Sequence, residues 1–267
     1  MTILDDLLTA LTAEGDRLRE AVGLLTEDQW RTPTPAEGWD IATTIVHLAW
    51  TDEASLLATR AAAGDTEEWD ELVLEAIQDP EGFVDAEARA GATATAAQIL
   101  ERWDAARTAL PPALLAATGK LPWFGPAMSP ASMATARLME TWAHSLDVFD
   151  ALGLVPEQTD AVRHVAHLGV RTRGFAYAAR GRSAPDAEIQ VTLVLPSEEV
   201  ISFGPDDAAQ TITGSAWDFA RLVTQRVHRD DTDLVASGPD ASQWLEIAQA
   251  FAGPPGAGRA PHGRDAS

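Results

Sequence analysis

The 267-residue chain contains no cysteine, a single lysine at Lys120 and a single tyrosine. The absence of cysteine excludes disulfide bonds, a cysteine nucleophile and thiolate metal ligands, so any thiol chemistry must use an added thiol. No apolar stretch reaches the length of about 18 residues that a membrane-spanning helix needs. The first residues lack a basic region followed by an apolar run, so we expect no secretory signal and predict a cytoplasmic location.

Positive charge is scarce as well. The chain carries 41 acidic against 19 basic residues, which gives a formal net charge of −22. A nucleic-acid backbone or an anionic membrane surface attracts clustered lysine and arginine, so the composition predicts neither as a partner. The sequence also has no glycine-rich dinucleotide fingerprint, no P-loop and no GxSxG elbow, and therefore nothing supports nucleotide-binding or serine-hydrolase chemistry.

Apolar residues recur at helical spacing through the first part of the chain. Asp40 is a suitable N-cap for one helix, and Ser129 followed by Pro130 is typical of the start of another. The segments together predict a four-helix bundle. The predicted helices cover residues 4–24, 40–63, 66–78, 93–117 and 130–152.

The pattern changes after Pro156. Residues 188–195 alternate between apolar and polar side chains and are rich in β-branched residues, which is typical of a strand. Two further short strands are predicted, and the second part of the chain is therefore expected to be α+β with a small antiparallel sheet. The predicted strands cover residues 188–195, 199–203 and 210–213, and the predicted helices cover residues 158–180, 215–227 and 239–252.

Two histidines and one glutamate form the most informative chemical pattern. Glu140 and His144 are four residues apart on a predicted helix, so both side chains project from one helix face. His47 lies in the apolar stretch Ile45–Trp50. Two imidazoles and one carboxylate suit a divalent ion such as Zn²⁺, and three protein ligands leave a position open for water or substrate, as in catalytic sites.

Each of these residues also has a purely structural interpretation. A lone histidine in an apolar stretch is more often a hydrogen-bonded core residue than a ligand, and acid–histidine pairs occur on many helix faces. Asp147, one turn beyond His144, and Asp52, five residues beyond His47, either orient an imidazole or lie on a solvated helix face. Two interpretations are possible for each of the nearby tryptophans: its ring packs in the core, or it lines a pocket. These residues are Trp39, Trp50, Trp123 and Trp142.

The motifs around these residues resemble those of the mycothiol-dependent maleylpyruvate isomerase family, within the DinB-like metal-binding superfamily. Two further stretches resemble one subgroup whose members are described only as metal-binding proteins, namely Trp123–Ser129 and Ala248–Pro255. The segments that carry the family resemblance are Pro33–Trp39, His47–Trp50, Glu140–Val148, Thr213–Phe219 and Trp244–Leu245.

We therefore expect an α+β protein that consists of two domains and a C-terminal tail. Residues 1–155 form a DinB-like metal-binding helical bundle. Residues 156–252 form the α+β domain, which the resemblance implies to be like a sterol-carrier protein. Residues 253–267 begin with a run of glycine and proline and are predicted to be a disordered tail.

The resemblance also implies site residues and a cosubstrate. His47, Glu140 and His144 match the metal triad of the superfamily position by position. The arginine that the family needs for an anionic substrate falls on Arg226 or, one turn earlier, on Arg221. The implied cosubstrate is mycothiol, whose thiol adds to a small electrophile; relatives isomerise a maleyl double bond, transfer thiols or open rings.

Three functions follow as hypotheses. The first is an enzyme, a mycothiol-dependent isomerase or thiol S-transferase that uses Zn²⁺ or another divalent metal. The second is a metal-dependent hydrolase that activates water at the same open position. The third is a non-catalytic protein that binds a metal or small ligand. We expect a monomer or homodimer, and the sequence leaves the electrophile, the thiol and the metal open.

Overall fold

The computed structural model describes residues 2–80 and 82–262. These residues fall into two compact units that divide between Pro156 and Glu157. None of the helices in this part of the chain is long and apolar enough to cross a membrane. The helices of the first unit are α1 (Ile3–Val22), α2 (Ile41–Ala62), α3 (Glu67–Gln78), α4 (Phe83–Gly91), α5 (Ala96–Ala116) and α6 (Pro130–Leu152).

Four of these helices form the bundle that the sequence predicted. Helices α1 and α2 each contact both α5 and α6, and the shorter α3 and α4 pack against α2. The sequence predicted α3 but not α4. Only Phe83 and Ala88 are buried along α4, so its apolar periodicity is too sparse to indicate a helix.

Capping residues set the ends of two long helices. The Asp40 side chain accepts a hydrogen bond from the backbone N–H of Thr43 at 2.7 Å, which begins α2. Ser129 Oγ accepts from the backbone N–H of Ser132 at 3.1 Å ahead of Pro130, which begins α6. Gly153 then ends α6 with a φ of 65°, a conformation that glycine adopts without strain. The structure confirms the predicted N-caps.

Helix α2 is the central helix of the first unit. Neighbouring helices cover it on several sides, so most of its residues are buried and it has no solvated stripe. Two apolar clusters pack the bundle. One includes Leu18, Trp30, Ile45, Trp103 and Val148, and the other includes Leu8, Ala58, Leu110, Met133 and Leu138.

The second unit combines helices with a small sheet, as the α+β prediction requires. Helix α9 packs against α7 and against two strands of the sheet, and Phe219 meets Trp244 edge-to-face with ring centroids 5.9 Å apart. Its elements in chain order are α7 (Val162–Arg171), α8 (Arg173–Ala178), β1 (Ile189–Val194), β2 (Val200–Phe203), β3 (Gln210–Ser215), α9 (Ala216–Val223), β4 (Val235–Ser237) and α10 (Pro239–Ile247).

The sheet is mixed, which corrects the prediction of an antiparallel sheet. Its strand order is β2-β1-β3-β4. Strand β1 pairs antiparallel with β2 but parallel with β3, and β3 pairs antiparallel with β4. Strand β3 follows β2 in the chain but lies on the other side of β1, where it runs in the same direction as β1. Alternation along a strand encodes which face is buried but not which neighbour lies alongside it.

The predicted helix 158–180 is interrupted in the structure. Thr172 separates α7 from α8, and its hydroxyl donates to Leu168 O at 3.0 Å and to Gln249 O at 2.8 Å. The predicted helix 239–252 ends early, at Ile247. Beyond Ile247 the chain makes contacts with other segments instead: Gln249 O accepts from Thr172, and Ala250 N donates to Val223 O at 2.8 Å. Local sequence does not report such contacts.

The described part of the tail, residues 253–262, contains no helix or strand. His262 N donates a hydrogen bond to Asp231 Oδ2 at 2.8 Å, and Gln249 Nε2 donates to Gly253 O at 3.0 Å. Residues 263–267 lie outside the described residues. The disorder of the tail stays a prediction.

Candidate metal centre

The two histidines and the glutamate of the sequence pattern come together in the first unit. His47 lies on α2, about two turns after the N-cap at Asp40, and Glu140 and His144 lie one turn apart on α6. Each offers one ligand atom, and the three atoms lie within 4.8 Å of one another. Residues 93 positions apart therefore meet because α2 packs on α6.

Both imidazoles face the same carboxylate oxygen. His47 Nε2 lies 3.2 Å from Glu140 Oε2, and His144 Nε2 lies 3.5 Å from that oxygen. The two imidazole rings meet edge-on, with centroids 4.9 Å apart. The side chain of His47 is 9% exposed, that of His144 is 12% exposed and that of Glu140 is 23% exposed. Water therefore has little access to the cluster, and the carboxylate is its most accessible group.

The spacing of these atoms fits a small divalent ion. Ligand atoms about 2.0–2.1 Å from a tetrahedral ion lie about 3.3 Å from one another. Two of the three distances between ligand atoms, 3.2 and 3.5 Å, bracket that value, and all three atoms lie within 4.8 Å of one another. Two nitrogens and one oxygen are donors that zinc and several other divalent ions accept. The cluster can therefore hold a metal ion and leave a further position for a small molecule.

Burial and mutual contact favour suitable charge states for two of the three side chains, His47 and Glu140. Burial lowers the pKa of His47 to about 4, with the hydrogen bond to Glu140 opposing that effect. Burial alone raises the pKa of Glu140, but hydrogen bonds with His144 and His47 outweigh it and hold that pKa well below its usual range. At neutral pH the cluster thus presents a neutral imidazole at His47 and a carboxylate at Glu140, as metal binding requires.

Asp147 supports His144 from the side away from Glu140. Its Oδ2 lies 3.1 Å from His144 Nδ1, and the Asp147 side chain is 2% exposed. The structure therefore favours the orienting role for Asp147 over a solvated helix face. Because a carboxylate accepts hydrogen bonds, the contact favours the tautomer with the proton on Nδ1, in which Nε2 is the ligand atom. Among the described residues, no group hydrogen-bonds to the buried Nδ1 of His47.

Trp39 covers both imidazoles. Its ring stacks on His144 with centroids 5.6 Å apart and 14° between the planes, and it lies 5.1 Å from the ring of His47. A backbone hydrogen bond from Thr34 N to Trp39 O at 2.9 Å holds the loop that carries it. The partly exposed Trp39 ring therefore lies against the cluster and not in the core, which favours the pocket-wall interpretation over core packing.

The other tryptophans pack elsewhere in the first unit. Trp142 is 3% exposed on α6. Trp50 and Trp123 belong to an aromatic cluster whose remaining members are Trp69, Phe83 and Phe124. Core packing is therefore the better interpretation for these three tryptophans.

Asp52 does not orient an imidazole. It is 2% exposed, and its Oδ1 accepts a hydrogen bond from Arg137 Nε at 3.0 Å. Both interpretations considered for Asp52 are wrong, because the carboxylate is neither solvated nor directed at a histidine. Sequence reasoning also missed Arg137. The available indication was its position three residues before Glu140, which places an arginine on the face of α6 that carries the cluster.

Arg226 lies in the second unit, just after α9. Its Nη1 donates to Thr224 O at 2.6 Å, and the preceding residue, Gln225, has a φ of 60°. Arg221, the alternative position, is paired with Asp218 at 3.3 Å on α9. The role of Arg226 toward an anionic substrate stays a prediction.

The fold and the cluster define a class of protein, a helical bundle with a three-residue cluster that could hold a metal ion, followed along the chain by an α+β unit. Residues 11–149 match the family model of the mycothiol maleylpyruvate isomerase N-terminal domain. That stretch is more than half of the chain and contains the whole cluster. The protein belongs to this family, which confirms the resemblance seen in the sequence.

Two kinds of relative accompany this match. Proteins of two Mycobacterium tuberculosis strains, both described as uncharacterised, are 51% identical over 251 residues, which are 93% of this chain and 96% of theirs. Crystal structures of the mycothiol-dependent maleylpyruvate isomerase and of a mutant of it match with a TM-score of 0.58 at 15% identity. The matches cover 90% of this chain and 98% of theirs. At this identity the structural match shows a shared fold.

Proposed function

We propose that this protein is a metal-dependent enzyme that activates a low-molecular-weight thiol, namely mycothiol, for isomerisation of, or transfer to, a small electrophile. The observation that carries the proposal is the meeting of His47 Nε2 and His144 Nε2 at one oxygen of Glu140. Membership of a family named for a mycothiol isomerase supports the choice of thiol. The absence of cysteine is consistent with a thiol supplied from outside the chain.

In this proposal His47, Glu140 and His144 hold a divalent ion, with Zn²⁺ as the first candidate. The ion supplies Lewis-acid activation when bound, which lowers the pKa of a thiol so that thiolate exists at neutral pH. Asp147 keeps the proton on His144 Nδ1, so that Nε2 presents its lone pair. Trp39 covers the imidazoles and excludes water from that side.

Arg226 is proposed to bind the anionic group of the electrophile. A guanidinium keeps its charge at any physiological pH and offers several donors to a carboxylate. The bond from Nη1 to Thr224 O anchors one end of the guanidinium. We expect Arg226→Gln to raise KM for an anionic electrophile and to leave metal content unchanged, in contrast to substitutions in the cluster.

The first test is elemental analysis of the protein purified without chelator. We expect about one divalent ion per chain in the wild type and in His167→Ala, whose histidine lies on α7 in the second unit. His144→Ala should lose the ion, because a cluster of two side chains binds far more weakly. Wild-type protein without metal, or His144→Ala with full metal, would contradict the proposed site.

The second test is a conjugation or isomerisation assay with small electrophiles in the presence and absence of mycothiol. We expect product only when the thiol is present. Product without any thiol would favour the hydrolase hypothesis, in which the same open position activates water. A metal-loaded protein that forms no product from a broad set of electrophiles would favour the non-catalytic binding protein.

A further inference from the structure

A buried ion pair joins the two helices that carry the candidate metal ligands. Arg137 on α6 and Asp52 on α2 pair at 3.0 Å, and each side chain is only 3% exposed. Arg137 Nη2 also donates a hydrogen bond to Thr51 Oγ1 at 2.5 Å. The same hydroxyl donates to the backbone oxygen of His47 at 2.8 Å. A continuous series of hydrogen bonds therefore runs from α6 through one hydroxyl to the backbone of a cluster residue.

The positions along each helix align these contacts with the cluster. Arg137 precedes Glu140 by three residues and His144 by seven, which places all three on one face of α6. Thr51 follows His47 by four residues on α2, so its hydroxyl reaches the His47 carbonyl one turn back. The ion pair thus lies about one turn from the cluster on both helices.

Such a pair is a poor way to gain stability. Removing two charges from water costs free energy that their attraction repays only with good geometry, and apolar residues of similar volume often stabilise a fold equally well. The pair does, however, impose one register on α2 against α6, because a shift of either helix would leave a buried charge unpaired. Apolar packing between the same helices has no comparable penalty for a small shift.

We propose that Arg137, Thr51 and Asp52 are positioning residues for the metal centre. They fix the register of α2 against α6 and hold the backbone of His47, so that its Nε2 meets the ligand atoms of Glu140 and His144. The inference rests on the proposed metal function, since it concerns the affinity of that site. The ion pair thus serves to position the ligand atoms and not to stabilise the fold.

A second ion pair on α2, whose side chains are about a third exposed, provides a comparison on the same helix. Glu53, next to Asp52 in sequence, pairs with Arg102 of α5 at 2.6 Å. This pair joins α2 to a helix that carries none of the three cluster residues. If ion pairs on α2 served only to hold the bundle together, breaking either pair would affect the metal centre alike.

The test measures binding of Co²⁺, as the metal alone, by its visible absorption spectrum in chelator competition. Thr51→Val removes the hydroxyl and keeps the shape of the side chain, whereas Thr51→Ser keeps the hydroxyl. We expect Thr51→Val to weaken Co²⁺ binding by roughly ten- to a hundredfold and to alter the spectrum. Thr51→Ser should remain within about threefold of the wild type, because its hydroxyl can still bridge Arg137 and His47.

A double substitution tests the ion pair without leaving an unpaired charge. Asp52→Leu combined with Arg137→Met should fold, with a melting temperature near that of the wild type, but should bind Co²⁺ at least about tenfold more weakly. Glu53→Leu combined with Arg102→Met is the control, and it should bind Co²⁺ as the wild type does.

The outcomes separate this inference from the proposed function. Equal Co²⁺ affinity and spectrum in the wild type, Thr51→Val and the Asp52/Arg137 double variant would overturn the positioning role while leaving the metal site intact. Equal weakening by the Glu53/Arg102 control would also overturn it, because any loosened helix would then suffice. A wild-type protein that binds no Co²⁺ would remove the proposed metal function, and the inference with it.

Discussion

Removal of the Asp147 carboxylate should weaken metal binding although Asp147 is not itself a ligand. The carboxylate lies 3.1 Å from His144 Nδ1 and is 2% exposed, so the hydrogen bond gains from the negative charge and is little screened by water. A hydrogen bond to a charged group contributes about 1.5–3 kcal/mol. Since about 1.4 kcal/mol is a factor of ten in affinity, we expect Asp147→Ala to raise Kd for Zn²⁺ about ten- to 150-fold.

A conservative substitution refines this expectation. Asp147→Asn keeps the size of the side chain and an oxygen that can accept from His144 Nδ1–H, but it loses the charge. The difference between a charged and a neutral hydrogen bond is about 1 kcal/mol, so Asp147→Asn should raise Kd only about fivefold. The order wild type, Asn, Ala is therefore part of the prediction.

The assay is competition for Zn²⁺ against a chelator of known affinity, with circular dichroism to confirm that each variant is folded. Asp150→Ala is the control, because Asp150 lies three residues further along the same helix and is exposed. It should leave Kd within about twofold. A folded Asp147→Ala protein with the wild-type Kd would refute the reasoning, since His144 would then need no support at Nδ1.

Three further predictions concern stability. Burial raises the pKa of Asp104, but hydrogen bonds from two arginines outweigh it and hold that pKa below the usual 3.8. The stabilising contribution of its carboxylate is therefore present above pH 3.8 and is lost as pH falls through the lower pKa of the folded state. In urea denaturation, Asp104→Asn should have a lower free energy of unfolding than the wild type at pH 7 but not at about pH 2. Trp30→Ala, at a residue 1% exposed, should lower the urea-measured free energy of unfolding by about 3–5 kcal/mol, and a loss under about 1 kcal/mol would contradict its core position. Gly204→Ala should lower the melting temperature, because φ is 85° and a Cβ would lie 2.4 Å from the Ile189 backbone oxygen; an unchanged value would contradict this backbone geometry.

Local features of the chain were sufficient to predict the elements that carry the cluster. Asp40 and Ser129 are strong N-caps, and Gly153 is a strong stop, so the starts of α2 and α6 and the end of α6 followed from residue chemistry. The four-residue spacing of Glu140 and His144 was likewise enough to place both on one face of a helix. Elements with weak local patterns were missed or misplaced, as α4 and the break at Thr172 show.

Contacts between distant segments were decided only by the tertiary structure. No local pattern specifies that β3 lies parallel to β1, because alternation within a strand carries no information about its neighbour. Nor did any pattern specify that Asp52 pairs with Arg137, 85 residues away, instead of facing a histidine or water. The role of Trp39 also depends on tertiary packing, because its ring reaches His144 from a loop about 100 residues earlier in the chain.

The sequence alone thus determined which chemical groups the protein has and which helix face presents Glu140 and His144. It also determined what the chain lacks, namely cysteine and clustered positive charge. The tertiary structure decided that His47 joins them, because only the packing of α2 on α6 brings its Nε2 to 3.2 Å from Glu140 Oε2. The physical reason is that capping and periodicity act within one helix, whereas the site depends on the register between two helices far apart in the chain.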